Sequence, residues 1–147
     1  MSGLIHLALT FKGGFMKKMV ALVAVAVAVL AGCSTPADLK ADRAPAVFTV
    51  PVGYQLVLKR LVEQHTVCAM VPLIPIGQVI NDVQNYPDLR MATITRGASG
   101  IGTQTHQVLE LREVGAGQTE VKLYQRFAPE KFAKAYERTA SGENVCP

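Results

Sequence analysis

Apolar residues fall into three patterns along the chain. From Met19 to Leu30 they run almost without interruption. Beyond Ala46 they recur first at helical spacing and then in alternation. Val47, Phe48 and Val50 make a short strand, after which Tyr54, Val57, Leu58, Leu61 and Val62 share one face while Gln55, Lys59, Arg60 and Glu63 take the other, which predicts an amphipathic helix. Thr66 to Val71 is rich in β-formers and is closed off by Pro72 and Pro75. Gln78 to Gln84 is a further apolar run that ends at the turn signal Asn85-Tyr86-Pro87-Asp88. Leu89 to Arg96 alternates, and Gly97 to Gly102 breaks the chain. Gln107 to Val114 then puts Leu109 and Leu111 on one face, and Gly115-Ala116-Gly117 leads into Val121, Leu123 and Phe127. These segments read as antiparallel strands joined by hairpins. Pro129 suits a first helical position, Phe132, Ala135, Tyr136 and Thr139 share a face, and Gly142 suits the stop.

The order β-α-β-β-β-β-α predicts an α+β domain over residues 46–147, with an antiparallel sheet of about five strands and two helices packed on one face. In element order it resembles the helix-grip and TATA-binding-protein-like sandwiches, of which the lipoprotein BamC of the outer-membrane β-barrel assembly machine carries examples. That resemblance covers Ala46 to Pro147, has no shared motif and transfers no function. Residues 33–45 hold two prolines, mixed charge and no apolar period, the composition of a flexible tether.

The first 32 residues read as an export signal. Lys17 and Lys18 precede the apolar run, which ends in the small residues Ala31 and Gly32, and Met16 fits the true start better than Met1. Leu30-Ala31-Gly32-Cys33 resembles the lipobox of bacterial lipoproteins at all four positions. The resemblance implies that the Cys33 thiol receives a diacylglyceryl group, that cleavage makes Cys33 the first mature residue, and that its amino group accepts a further acyl chain such as palmitate. Two or three chains anchor a protein to a membrane almost permanently. Ser34, rather than Asp, follows the cysteine, which under the family's sorting rule implies the outer membrane, with the domain in the periplasm.

Charge and cysteine content fit that picture. The net charge of +4 suggests an anionic partner, yet Lys12, Lys17 and Lys18 precede Cys33 without an acidic neighbour, so the remainder holds 12 basic and 11 acidic side chains. A nucleic-acid partner is therefore not expected. With Cys33 lipidated, Cys68 and Cys146 remain as a pair, and an oxidising compartment favours a disulfide between them over two free thiols.

The candidates for chemistry are few, and neither a cofactor nor a metal is expected. His65 and Cys68 have a metal-compatible spacing but lack companions. The glycine-rich stretch 97–102 misses the phosphate-loop spacing, and Ser99 lacks the second glycine of a nucleophile elbow. Glu110, Glu113 and Glu120 alternate with Arg112, Lys122 and Arg126 as on a solvated sheet face. On that face Tyr124 and Arg126 are candidates for contacting a partner protein. The sequence thus points to a non-enzymatic envelope lipoprotein that acts through protein contacts. The alternative is a small-molecule or lipid binder with its pocket between the sheet and the C-terminal helix, for which Val71 to Ile76 would be a lid or an exposed apolar patch, against the plainer reading of a buried edge strand.

Overall fold

A computed structural model of the chain describes residues 34–68, 78–100 and 102–147. The expected export signal over residues 1–32, the expected lipidation site Cys33 and the Val71–Ile76 stretch lie outside the described residues.

The protein is an α+β fold. Helix α1 (Pro36–Asp42) precedes strand β1 (Ala46–Val50), helix α2 (Tyr54–Cys68), strands β2 (Gln78–Tyr86), β3 (Met91–Gly100), β4 (Gly102–Gly115) and β5 (Gln118–Gln125), and helix α3 (Pro129–Ser141). The sheet order is β1-β5-β4-β3-β2, and every neighbouring pair is antiparallel. Strands β2 to β5 form a simple meander, with β1 completing the sheet beside β5.

Alternation along the strands sorts the sheet into two faces. One face carries Phe48, Val50, Ala92, Ile94, Leu109, Leu111, Val121 and Leu123, all buried against Val57, Leu58 and Leu61 of α2 and Tyr136 and Ala140 of α3. The register brings Phe48 opposite Val121 and Ile94 opposite Leu109, so the largest side chains meet across neighbouring strands. Both long helices therefore cover one face, as the sequence pattern predicts.

The second face is where the structure departs from expectation. Residues 34–42 are part of the fold instead of a tether. Ser34 pairs with β4: its N–H donates to the Thr103 carbonyl (3.2 Å), and its own carbonyl accepts from the Thr105 N–H (3.0 Å). Thr35 then caps α1, its hydroxyl oxygen accepting from the Asp38 N–H while the Asp38 carboxylate accepts from the Thr35 N–H at 2.8 Å. The Thr35 N–H, together with the Thr35 hydroxyl donating to the same carboxylate at 2.7 Å, holds the Asp38 carboxyl below its ordinary pKa. Pro36 fits the first turn, where its missing N–H costs nothing. Seven residues make a helix too short to persist alone, so its stability comes from burying Leu39, which is only 2 % exposed.

Two further departures have local causes. Thr66 to Cys68, expected in a strand, continue α2, because Gln64 and His65 are buried on the face that meets α3 and that packing outweighs β-propensity. The glycine-rich stretch, expected to break the chain at Gly97, stays in β3 to Gly100, where the hairpin to β4 closes. Gly97 sits at a bulge. Arg96 pairs with Gln107 and Gly97 with Thr105, leaving His106 as the extra residue of β4, and a Cβ on residue 97 would lie 2.4 Å from the Gln104 carbonyl oxygen.

If residues 34–42 are structural, Leu39→Ala costs about 2–4 kcal/mol, as expected for a buried leucine. The exposed Leu56→Ala changes stability by no more than about 0.5 kcal/mol. Urea unfolding of both variants checks this, and an unchanged midpoint for Leu39→Ala would restore the tether.

Candidate functional site

The two long helices converge at the end of α2. Cys68 closes that helix, and Cys146 lies in the tail beyond α3; the structure joins them in a disulfide with their Cα atoms 5.6 Å apart. The tail reaches this position because Gly142 turns out of α3 at φ 114°, its N–H bonding to the Thr139 carbonyl at 2.9 Å, with the Glu143 N–H donating to the Arg138 carbonyl at 3.0 Å. Arg60 donates to the Ala140 carbonyl at 2.6 Å, and the Gln64 amide donates to Thr139 Oγ1 at 2.6 Å and to the Val145 carbonyl.

Between α2 and the tail lies a cavity of about 480 Å³, with Arg60, Gln64, Cys68, Thr139, Asn144 and Cys146 in its wall. Gln64 is buried, and its Oε1 has no hydrogen-bond partner among the described residues. The cavity is not where the sequence pattern puts a pocket. The space between the sheet and α3 is filled by Tyr136, Leu109 and Val121, all fully buried.

Deeper in, three polar side chains share one network. The hydroxyl of Tyr136 lies 3.1 Å from His65 Nε2 and within 3.0 Å of the Gln107 amide. Burial, followed by the positive charge of Arg96, pushes the His65 pKa down to about 3, so the imidazole is neutral at physiological pH. Burial also raises the pKa of Tyr136 and keeps its proton in place. A neutral donor–acceptor chain results, which satisfies polar groups in the interior. His65 and Cys68 do not form a ligand pair, since one engages Tyr136 and the other Cys146. Ser99 points at the Gln78 carbonyl on the neighbouring strand, 3.4 Å away.

Tyr124 and Arg126, expected to form a partner-binding patch, meet the chain's own N-terminal segment. Lys40 of α1 lies over the Tyr124 ring, 5.9 Å from its centroid, and pairs with Glu110. Arg126 donates to Ser34 Oγ at 2.8 Å. The acidic row behaves as a sheet face: Glu110 is opposite Lys122 and Arg112 opposite Glu120, while Arg90 reaches Glu113 at 3.4 Å. Sequence reasoning missed Leu39 and Lys40, although Thr35-Pro36-Ala37-Asp38 carries the capping-box spacing ahead of an apolar residue.

No protein-family description, curated protein or solved structure matches this chain. Among the described residues, no helix is long and apolar enough to cross a membrane.

The disulfide and the buried histidine each make a measurable contribution. Replacing both Cys68 and Cys146 by alanine frees a 78-residue loop and costs about 4 kcal/mol on the chain-entropy account, measured as a lowered denaturant midpoint. For His65 the readout is pH. Unfolded chains take up a proton on His65 near its ordinary value of 6.5 and the folded chain only near about 3, so the unfolded state binds more protons throughout that window. Stability therefore falls as pH is lowered through it, by at most about 1.4 kcal/mol per unit from this group. His65→Gln should flatten the pH profile of the melting temperature between those limits. Parallel profiles for the two proteins would assign the acid sensitivity elsewhere.

Proposed function

We propose that the chain is an envelope lipoprotein, anchored by lipid on Cys33 in the outer membrane, whose periplasmic domain acts through protein contacts and not as an enzyme. One observation carries the reading: the lipobox ends where the folded unit begins. The compact unit spans Cys33–Pro147, and Ser34 is already paired with β4, so cleavage before Cys33 would leave the domain whole. The disulfide adds support, since such bonds persist in oxidising compartments such as the periplasm. Support for a non-catalytic role comes from the state of the reactive side chains: Cys68 and Cys146 are bonded to each other, and His65 and Tyr136 are held neutral inside the core. The partner is an envelope protein of unassigned identity.

A second reading, a small-molecule or lipid binder, is favoured by the cavity beside the disulfide. A bound compound released from natively isolated protein on unfolding would favour it.

Intact mass of the full-length gene product, isolated from its own membrane beside a Cys33→Ser variant, tests the main reading. A mature mass starting at Cys33 and carrying two or three acyl chains, absent from the variant, is the expected result. A single unlipidated species that retains residues 1–32 would overturn it.

A further inference from the structure

The segment after the lipobox cysteine is too short and too well held to act as a leash. A flexible tether of 13 residues would let the domain roam about 20 Å from its anchor. Here Ser34, the residue directly after Cys33, is itself paired with β4. It is fixed at three points, by the Thr103 carbonyl, the Thr105 N–H and the Arg126 guanidinium, and Leu39 is buried five residues later. A single residue spans at most about 3.5 Å. Lipid on Cys33 would therefore bring the sheet end that carries Ser34 down to the headgroups.

That end has an apolar side chain to offer. Phe127 directly follows Arg126, the residue that holds Ser34, and is 68 % exposed, the highest exposure among the described aromatic residues. Its presentation is fixed by the backbone. Ala128 adopts φ 47° and ψ 52°, a left-handed conformation that an L-residue with a Cβ takes only under constraint, and Pro129 then starts α3. The strained residue sits between Arg126, which holds Ser34 just beyond β5, and the helix that packs on the core. An exposed apolar ring at such a place suits burial at the boundary between headgroups and acyl chains, where Phe and Leu side chains insert.

We propose that the Ser34 end of the domain is a membrane-contact surface: Phe127 inserts among the headgroups of the leaflet that holds the Cys33 lipid, and the domain stands on the membrane in one orientation. This rests on the lipoprotein reading above. The opposite end, with Leu89 66 % exposed at the β2–β3 turn, then faces away. Thr103, which bonds Ser34, and Arg112, which pairs with Met91 beside the β2–β3 turn, lie nine steps apart along β4, roughly 30 Å.

The chain contains no tryptophan, so single-tryptophan variants report directly. Full-length Phe127→Trp and Leu89→Trp proteins, isolated from the membrane and checked by intact mass, are reconstituted into phosphatidylcholine vesicles with and without acyl chains brominated near the glycerol. At least twofold bromine quenching for Phe127→Trp and none for Leu89→Trp is the expected result. Equal quenching at both positions, or none at either, on protein whose mass shows the lipid overturns the orientation and leaves the lipoprotein reading standing. A mass without lipid overturns both.

Discussion

Val108 and Leu109 are neighbours on β4, point to opposite faces of the sheet, and are both fully buried. That pair sets the constraint on the fold. A strand buried on both sides needs cover on both sides, and α2 and α3 pack on one. The other cover must come from elsewhere in the chain, and α1 supplies it with Leu39 and with the Lys40 stem laid over Tyr124 toward Glu110. Small domains have little surplus core, so a single leucine and its capping box are a substantial share of the second layer. Ser34 extends that layer to the end of the sheet. The bulge at His106 fits the same scheme, since it is beside the stretch of β4, Thr103 to Thr105, that takes Ser34 as a partner.

On the helix side the apolar core is joined by a small set of buried polar groups. Tyr136 is fully buried yet carries a hydroxyl, and α3 can be there only because Gln107 and His65 receive that hydroxyl from the sheet and from α2. The adjacent Gln64 acts in the same way, tying α2 to Thr139 and to the tail. The disulfide then fixes the tail that Gln64 bonds. These contacts link the three segments that meet beyond the sheet, which explains why α2 continues to Cys68 against its β-forming composition.

The fold is legible in the sequence where one periodicity holds over enough residues. Strand β5 alternates cleanly, with Thr119, Val121, Leu123 and Gln125 buried, β3 and β4 carry the apolar pairs Ala92/Ile94 and Leu109/Leu111 two residues apart, and α3 is framed by Pro129 and Gly142, which serve as start and stop. The disulfide is legible from counting once Cys33 is set aside. Helix α1 is not, because two prolines and four charges within residues 34–45 match the composition of a linker, and one apolar residue cannot show a period. The end of α2 is hidden for a different reason: Gln64 and His65 look polar in sequence and are buried through partners 75 and 71 residues away. The pattern places Tyr124 and Arg126 on the correct face, but it leaves to solvent the N-terminal segment that meets them.

Docking of that segment bears on mechanism. A lipoprotein with a long linker can search a volume for its partner and accept many geometries, whereas a domain clasped at its first residue presents one surface at one height above the membrane. Under the lipoprotein reading proposed above, partner contact in the second arrangement would be selected by orientation as well as by affinity, because the cost of aligning the domain is met once, during folding, through Leu39 and Ser34. Substitutions along residues 34–42 would then alter partner engagement without touching the partner. Under the same reading, the exposed residues at the far end, Leu89 among them, are the ones that an envelope protein approaching from the periplasm would meet first.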